Sequence, residues 1–255
     1  MNDVLALVRE AAKLMTAPRK AEVSAKGRSN FVTEADVAVQ EFIRNGLQAL
    51  YPDYGFFSEE QENVADYSKP TWILDPIDGT ANFITRYHQS AVSLALYAEG
   101  RVVFGVVYNP FTEETFTAEW GKGAFCNGVP IHVDEDVEFQ DAIIDLGTMP
   151  YYKDCAEEVG RFAAAIIRNA SDIRRIGSAA LAMVYAAAGR TAAMMEGILQ
   201  PWDYAAGMLI AQEAGAAVTD WQGNPLVPEA PSAVLVSSKK IHSSILNLIK
   251  EVQKQ

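Results

Sequence analysis

The chain has 255 residues, of which 49% are hydrophobic, and a net charge of −12 that arises from 33 acidic and 21 basic side chains. A chain of this length and apolar content can bury a full-sized core in one large domain or two fused lobes, which excludes a disordered protein. The excess of acids argues against nucleic-acid and anionic-membrane partners, because both require a basic surface.

The first segment, MNDVLALVREAAKLM, is predicted to form an amphipathic helix rather than a secretion signal. Its apolar residues recur at helical spacing, and no run of eighteen or more apolar residues occurs in the chain. The two cysteines, Cys126 and Cys155, are too few for a disulfide framework and lack the spacing of a zinc site. We therefore expect a cytoplasmic protein with reduced thiols.

The rest of the first half is predicted to be a second helix followed by strands. The helix covers about 34–50, between Thr33 as its N-cap and Pro52 beyond its end. Short strands then follow in GFFSE and TWILD, and antiparallel strands in SAVSLALYAEG, RVVFGVVYNP, ETFTAEW and AFCNGVPIHV. The turns are placed at residues 99–100 and 127–128, where Glu-Gly and Asn-Gly suit tight hairpins. Residues 1–141 are thus expected to form an α+β lobe.

From residue 142 the pattern changes to an alternation of strands and helices. Strands are predicted in AIIDLG, DIRRIG, TAAMMEG, AAVTD and AVLVSS, and helices at about 153–169, 178–188 and 203–214 and at the C-terminus. Such alternation favours helices on both faces of a sheet, so residues 142–255 should form an α/β lobe. No Pro/Gly/Ser-rich linker separates the halves, which predicts one continuous unit with a shared cleft.

The segment WILDPIDGTANF at residues 72–83 carries the strongest chemical signal. An apolar strand is predicted to stop at Pro76, and Gly79 permits a tight turn, so that Asp75, Asp78 and the carbonyl of Ile77 can face one pocket. Such hard oxygen ligands suit Mg²⁺, and a helix that opens at residues 80–82 could hold a phosphate at its N–H groups. Asp-Pro and Asp-Gly are also common in ordinary turns, so this segment alone leaves both interpretations open.

The remaining acids are ambiguous when each is taken separately. Glu59 and Glu60 end a short apolar strand, where the local evidence favours a solvated surface pair over a cation site. Asp203 lies at a predicted helix start, where Asp is a routine capping residue. Asp36 follows Thr33 at the spacing of a capping box.

Taken together, five segments resemble the inositol monophosphatase family, which falls within the lithium-sensitive, magnesium-dependent phosphatase superfamily. They are FVTEAD at 31–36, SEE at 58–60, WILDPIDGTANF at 72–83, RRIGSAA at 174–180 and QPWDYAAG at 200–207. The resemblance implies a layered α-β-α-β-α sandwich of the inositol monophosphatase and fructose-1,6-bisphosphatase type. It also implies two or three bound Mg²⁺ ions, lithium sensitivity and a homodimer.

The resemblance further implies a role for each matching residue. The implied metal ligands are Glu59, Asp75, the Ile77 carbonyl, Asp78 and Asp203. The implied catalytic residues are Thr80 and Asp36, which orient the nucleophile, and Glu60, which positions a metal-bound water. The implied phosphate contacts are Gly79, Thr80, Ala81 and Asn82. The implied contacts for the alcohol part of the substrate are Gly177, Ser178, Ala179 and Glu196, with Arg174 at the rim.

The activity implied by the resemblance is Mg²⁺-dependent hydrolysis of a small phosphate monoester. Glu196 and the DGTAN motif favour inositol 1-phosphate, and the alternative substrates are fructose 1,6-bisphosphate, histidinol phosphate and 3′-phosphoadenosine 5′-phosphate. A non-catalytic binding or regulatory protein of the same fold is a further alternative. The three histidines, His88, His132 and His242, are widely spaced and are expected at the surface or in hairpins, so a histidine metal site is not expected.

Overall fold

The structure is a computed structural model that describes residues 1–17, 23–27, 30–61 and 65–254, with the backbone alone at 23–27 and 30–32. Its helices are α1 (Asn2–Thr16), α2 (Glu34–Leu50), α3 (Thr80–Thr85), α4 (Ala156–Asn169), α5 (Ala179–Ala187), α6 (Pro201–Glu213) and α7 (Lys239–Gln253). Its strands are β1 (Val23–Gly27), β2 (Asn30–Thr33), β3 (Gly55–Ser58), β4 (Thr71–Asp78), β5 (Ala91–Ala98), β6 (Arg101–Asn109), β7 (Glu114–Glu119), β8 (Ala124–Cys126), β9 (Val129–Pro130), β10 (Ile143–Leu146), β11 (Asp172–Arg174), β12 (Ala193–Leu199), β13 (Ala217–Thr219) and β14 (Ser232–Ser237).

The larger sheet has the strand order β3-β4-β5-β6-β7-β8-β9, and its strands pair antiparallel except for the parallel pair β3 and β4. Successive side chains of β4 point to opposite faces. Trp72 and Leu74 pack against α1 and α2, whereas Ile73 belongs to the core formed with α5 and α6. The sheet is therefore covered by helices on both faces.

The smaller sheet has the order β11-β10-β12-β14-β13, in which β10 is parallel to both of its neighbours and β14 is antiparallel to β12 and β13. Its outer face packs against α4 and α7 through residues such as Phe162, Ile245 and Ile249. Its inner face contributes Met194 and Val236 to the core that includes α5 and α6. The layers thus alternate as α-β-α-β-α, which confirms the predicted fold.

The local turn chemistry also agrees with the sequence. Glu99 and Gly100 have φ values of 54° and 76°, and Asn127 and Gly128 have 49° and 79°. Each pair joins two antiparallel strands through a two-residue loop, for which left-handed conformations at both positions match the strand twist.

Three details differ from the sequence-based expectation. The strand β4 does not stop at Pro76 but continues to Asp78 through an irregularity in its pairing with β5, because a bulge lets a proline stay in a strand without donating to the ladder. The antiparallel pair of β1 and β2 is not predicted above. The segment AFCNGVPIHV forms a hairpin that ends at Pro130, so its last three residues are not a strand.

His242 was expected at the surface and is in fact buried, so that prediction is wrong. It lies on the inward side of α7, which also carries Ile241, Ile245 and Ile249. Its Nδ1 is 2.8 Å from the Ser237 hydroxyl and its Nε2 is 2.9 Å from the Thr219 hydroxyl. Partners for both ring nitrogens remove the cost of burying the imidazole.

Over the part of the chain that the structure describes, no helix combines the length and the apolar character needed to cross a bilayer.

Candidate active site

The irregularity in β4 decides where two acids point. Asp75 pairs with Ser93 and Asp78 with Ala91, so three steps along β4 face two steps along β5. In a regular strand, residues three apart point to opposite faces, and the extra residue of a bulge brings them back to the same side. Asp75 and Asp78 are both buried, and with Asp203 they offer carboxylate oxygens that all lie within 4.8 Å of one another.

Asp78 is held by the start of α5, which lies in the second half of the chain. Its carboxylate accepts a hydrogen bond from the Ser178 hydroxyl and from the N–H groups of Ala179, at 3.2 Å, and Ala180, at 3.0 Å. The N-terminal end of a helix favours a negative charge. Burial raises the pKa of Asp78 to about 6, while these hydrogen bonds act in the opposite direction.

Asp203 reaches the same place from the first turn of α6. That helix begins at Pro201, and the Asp203 carboxylate accepts the N–H of Gln200 at 2.7 Å in a capping box. The capping interpretation therefore holds, and it coexists with the position of Asp203 beside Asp75 and Asp78. Burial, followed by the charges of Asp78 and Glu59, raises the pKa of Asp203 well above its usual range.

Glu59 follows directly after β3, which runs parallel to β4, so both strands bring acids to the same edge of the sheet. Burial and then the charges of Glu59, Asp78 and Asp203 raise the pKa of Asp75 well above its usual range. We call Glu59, Asp75, Asp78 and Asp203 the acid cluster. So many carboxylates in one buried place repel each other unless protons or cations neutralise them.

Thr80 and Asp36 meet next to the acid cluster. Asp36 Oδ2 accepts hydrogen bonds from the Thr33 N–H at 2.8 Å and the Thr33 hydroxyl at 2.5 Å, which forms the capping box of α2. Asp36 Oδ1 lies 3.4 Å from the Thr80 hydroxyl, which is also 3.0 Å from the Ile77 carbonyl. Burial raises the pKa of Asp36 to about 6, and the charge of Glu60 acts in the same direction. Asp36 therefore caps α2 and also contacts Thr80.

Two glycines, Gly79 and Gly177, allow the backbone to pass closely around the turn between β4 and α3. Gly79 has a φ of 84°, and a Cβ there would lie 2.9 Å from the Gln89 carbonyl. Gly177 has a φ of 87°, and a Cβ there would lie 3.0 Å from the Asn82 side-chain nitrogen. Asn82 donates to the carbonyls of Gln89, at 2.7 Å, and Ile176, at 2.8 Å. The first turn of α3 is thereby tied to the second half of the chain.

These groups surround a cavity of about 820 Å³. The residues that line it are Glu59, Asp75, Ile77, Asp78, Gly79, Thr80, Ala81, Asn82, Tyr87, Met149, Pro150, Tyr151, Tyr152, Arg175, Ile176, Gly177, Ala179, Glu196, Ile198, Leu199, Gln200, Trp202 and Asp203. Most of the site residues expected from sequence are thus brought to one cavity. Asp36 and Ser178 are buried beneath it, where they bond to Thr80 and Asp78. Glu60 lies next to Gln40, whose side-chain amide contacts the Glu60 carbonyl at 3.4 Å.

A second wall of the cavity is built from Glu196 and Arg175, in the second half of the chain. Glu196 is buried there and accepts the N–H of Met149 at 3.3 Å. Burial raises the pKa of Glu196 to about 7, and the positive charge of Arg175 opposes that rise. Arg175 also donates from Nε to the Thr148 hydroxyl at 3.1 Å. This wall therefore combines one buried acid with one cation.

Arg174 does not reach this wall, contrary to the expectation from sequence. Its guanidinium pairs with Asp172, and half of its side chain is exposed. Arg175 lines the cavity instead. Neighbouring residues of an extended segment point in opposite directions, so only one of two adjacent arginines can face the cavity.

The family model for the inositol monophosphatase family matches residues 2–254. The chain belongs to that family.

Relatives carry two kinds of name. An inositol-1-monophosphatase from Mesorhizobium japonicum is 37% identical over 234 residues, which cover 90% of this chain and 86% of the relative. The Nus factor SuhB from Vibrio cholerae is 35% identical over 241 residues, which cover 94% of this chain and 90% of the relative. The inositol monophosphatase family therefore includes close matches that are named for a factor rather than for an enzyme.

Solved structures of the family share the fold. The extragenic suppressor protein SuhB from Bartonella henselae superposes with a TM-score of 0.92 at 33% identity, over 98% of both chains. SaIMPase-II with inositol monophosphate bound superposes with a TM-score of 0.85 at 26% identity, over 99% of this chain and 94% of the other. The same enzyme with 2′AMP bound gives 0.84 at 28% identity, over 99% and 97%.

Sequence reasoning missed several residues of the site. Asp145 is buried in β10 and accepts the N–H of Ile176 at 3.1 Å, and burial raises its pKa to about 6. An acid inside the apolar run AIIDLG is a signal that could have identified it. The aromatic residues of the cavity mouth, Tyr87, Tyr151 and Tyr152, lie in loops that carry no comparable signal.

Proposed function

We propose that this protein is a Mg²⁺-dependent phosphatase that hydrolyses small phosphate monoesters, with inositol 1-phosphate as the main substrate. The observation that carries the proposal is the convergence of the acid cluster with the Thr80–Asp36 pair in one cavity. Membership of a phosphatase family supports the same reaction class.

The donor set fits Mg²⁺. Asp75, Asp78 and Asp203 place carboxylate oxygens within 4.8 Å of one another, Glu59 lines the same cavity, and the Ile77 residue between two of these acids is buried beside them. All of these ligand atoms are hard oxygens, which suits Mg²⁺ better than zinc or copper. Burial, followed by the charges of neighbouring acids, raises the pKa of Asp75 and Asp203, and a bound cation would neutralise those charges. Bound Mg²⁺ would neutralise the phosphate and lower the pKa of a coordinated water.

Within this scheme the protein's own residues orient the reaction. The Thr80 hydroxyl can accept a hydrogen bond from the attacking water while it donates to Asp36, from which it lies 3.4 Å. Asp36 Oδ2 accepts hydrogen bonds from the Thr33 N–H and hydroxyl, so Oδ1 is the oxygen that remains for Thr80. We assign Glu60 to the same task of positioning water, as the resemblance to the family implies, and its charge is close enough to act on Asp36.

The substrate would lie across the two walls of the cavity. We assign the phosphate to the corner formed by Gly79, Thr80, Ala81 and Asn82, where the first-turn N–H groups of α3 lack partners within the helix. We assign the alcohol part to Gly177, Ala179 and Glu196, with Arg175 in place of Arg174. The binding of inositol monophosphate by SaIMPase-II supports inositol 1-phosphate, whereas its binding of 2′AMP keeps 3′-phosphoadenosine 5′-phosphate among the alternatives.

A second candidate function is a regulatory role that does not need hydrolysis. Several relatives of 35% to 38% identity are named Nus factor SuhB, a name for a factor rather than for an enzyme, which supports a regulatory role. Hydrolysis requires the acid cluster to bind Mg²⁺, whereas the regulatory role does not require hydrolysis.

Several further properties stay predictions. They are the cytoplasmic location, the homodimer, the lithium sensitivity, the absence of nucleic-acid and membrane partners, the two-lobe boundary at residue 141 and the number of metal ions.

A phosphate-release panel tests the proposal. The substrates are inositol 1-phosphate, fructose 1,6-bisphosphate, histidinol phosphate and 3′-phosphoadenosine 5′-phosphate, each with Mg²⁺ and with a chelator. We expect Mg²⁺-dependent release that is fastest from inositol 1-phosphate and is lost in Asp75→Asn. A different preferred substrate would replace inositol 1-phosphate in the proposal. Failure to hydrolyse any of the four by folded, Mg²⁺-binding protein would favour the regulatory role.

A further inference from the structure

Three tyrosine hydroxyls converge on the loop segment of residues 227–230, and one of them belongs to Tyr204, the chain neighbour of Asp203. We call Tyr67, Tyr97 and Tyr204 the tyrosine clamp. Tyr67 donates to the Pro228 carbonyl at 2.5 Å and Tyr97 to the Glu229 carboxylate at 2.8 Å. The Tyr204 hydroxyl lies 2.8 Å from the Val227 carbonyl and 2.7 Å from the Ala230 carbonyl. Every residue of the segment therefore accepts a hydrogen bond from the clamp.

Tyr204 is the most deeply placed member of the clamp. Its side chain is fully buried, and its single hydroxyl proton serves two backbone carbonyls. Burial raises the pKa of Tyr204, so the group stays a neutral donor. Because a buried hydroxyl without a partner is costly, these two bonds fix the first turn of α6 against residues 227–230.

Asp203 lies between two anchored neighbours in the chain. On one side, the Trp202 ring packs 5.1 Å from that of Phe57 in β3, and the Trp202 carbonyl accepts the Ser93 hydroxyl at 3.3 Å. On the other side, Tyr204 is fixed by the clamp. The rotation of α6 about its axis sets the direction of the Asp203 carboxylate, so both anchors bear on where that carboxylate points.

We propose that Tyr204 is a positioning residue for the metal centre, which holds Asp203 at the distance from Asp75 and Asp78 that a divalent cation requires. This inference rests on the proposed function, because it assigns the clamp to the same site. Tyr67 contributes through the same segment. Metal sites depend on ligand placement to a fraction of an ångström, so a small rotation of α6 would weaken cation binding without unfolding the protein.

The test compares Tyr204→Phe with the wild type in direct titrations with Mg²⁺ by calorimetry and Mn²⁺ by paramagnetic resonance. The substitution keeps the ring and removes only the hydroxyl. We expect the dissociation constant to rise about five- to tenfold, the loss typical of one buried hydrogen bond. The Mg²⁺ concentration for half-maximal phosphate release should rise by the same factor. Tyr67→Phe removes a hydrogen bond to one carbonyl of the same segment and should raise the dissociation constant about twofold. This variant tests the inference if Tyr204→Phe does not fold.

Ser237→Ala is the matched control, since it removes a buried hydroxyl that contacts His242 between β14 and α7, away from the clamp. We expect it to lower thermal stability and leave cation affinity unchanged. Equal cation affinity in Tyr204→Phe and wild type, or an equal loss in Ser237→Ala, would overturn the inference. Wild-type protein that binds Mg²⁺ but hydrolyses no substrate would overturn the proposed function alone, whereas wild-type protein that binds neither cation would overturn both.

Discussion

The two walls of the cavity are built in different ways. The first-half wall carries Glu59, Asp75 and Asp78 at the ends of adjacent strands, and a bulge in β4 turns two of these acids to the same side. The second-half wall carries Glu196 and Arg175, which are held by contacts with the loop after β10. We infer that the first wall, together with Asp203 of α6, carries the chemistry and that Glu196 and Arg175 of the second wall distinguish between alcohols. Substitutions in the acid cluster should therefore change turnover, and those of Glu196 and Arg175 should change substrate binding.

Asp75→Asn should have the largest effect, because it removes a central oxygen ligand from the first-half wall. Turnover should fall by at least about a thousandfold. The pKa of Asp75 is raised by burial and by neighbouring acids, so the neutral side chain should stabilise the metal-free protein by about 1 kcal/mol. Steady-state kinetics and denaturant unfolding with a chelator measure the two effects. Wild-type turnover in this variant would remove Asp75 from the site.

Thr80→Ala should slow hydrolysis by roughly two to four orders of magnitude, the usual range for the loss of acid–base assistance. Affinity for Mg²⁺ should change little, because the Thr80 hydroxyl is not itself a proposed ligand and the Ile77 carbonyl that it contacts is a backbone group that the substitution leaves in β4. Thr80→Ser keeps the hydroxyl and is the control, with activity expected within about tenfold of wild type. An equal loss in both variants would point to packing rather than to the hydroxyl.

Both walls contribute to the pH dependence of the metal-free protein. Burial raises the pKa of Asp36, Asp78 and Asp145 to about 6 and that of Glu196 to about 7, whereas unfolded Asp and Glu ionise near 4. Between these values the folded chain binds more protons than the unfolded chain, so its stability falls as the pH rises.

With a chelator present, the free energy of unfolding should be higher at pH 5 than at pH 8 by at least about 2 kcal/mol. Added Mg²⁺ should reduce the difference by stabilising the ionised form at pH 8. Denaturant unfolding at both pH values measures this. A stability that is constant or rises between pH 5 and pH 8 would show that the buried acids are not held in this protonated state.

The smallest effect concerns the adjacent arginines of the second-half wall. Arg175→Met should raise KM for inositol 1-phosphate by about tenfold, the value of one charged hydrogen bond. Arg174→Met should change KM by less than about twofold, because its exposed pair with Asp172 is worth little. A larger effect from Arg174 than from Arg175 would contradict the assignment of this wall.

The sequence predicted the Asp75–Asp78 part of the first-half wall well because its residues are contiguous. In WILDPIDGTANF the strand, the acids and the glycine lie within twelve residues, so local rules place them together. The layered fold could also be predicted, since strand and helix periodicities change at residue 142. The bulge was not foreseen, because proline usually ends a strand and only the pairing with β5 shows that β4 continues.

The second-half wall was harder to predict for a physical reason. Which of Arg174 and Arg175 faces the cavity depends on how β11 pairs with β10, since that pairing decides which of the alternating side chains points to the cavity. His242 was misplaced for a similar reason, since its polar ring is buried only because Ser237 and Thr219 provide partners from β14 and β13. Contacts between segments distant in sequence decide all three positions.

The most direct test of the metal centre is anomalous scattering from crystals grown with Mn²⁺ and inorganic phosphate. We predict at least one strong peak among the carboxylates of Asp75, Asp78 and Asp203, at about 2.0–2.3 Å from their oxygens. Phosphate should lie next to it, against residues 79–82. Ordered crystals that contain Mn²⁺ elsewhere but show no peak among these three carboxylates would contradict the account.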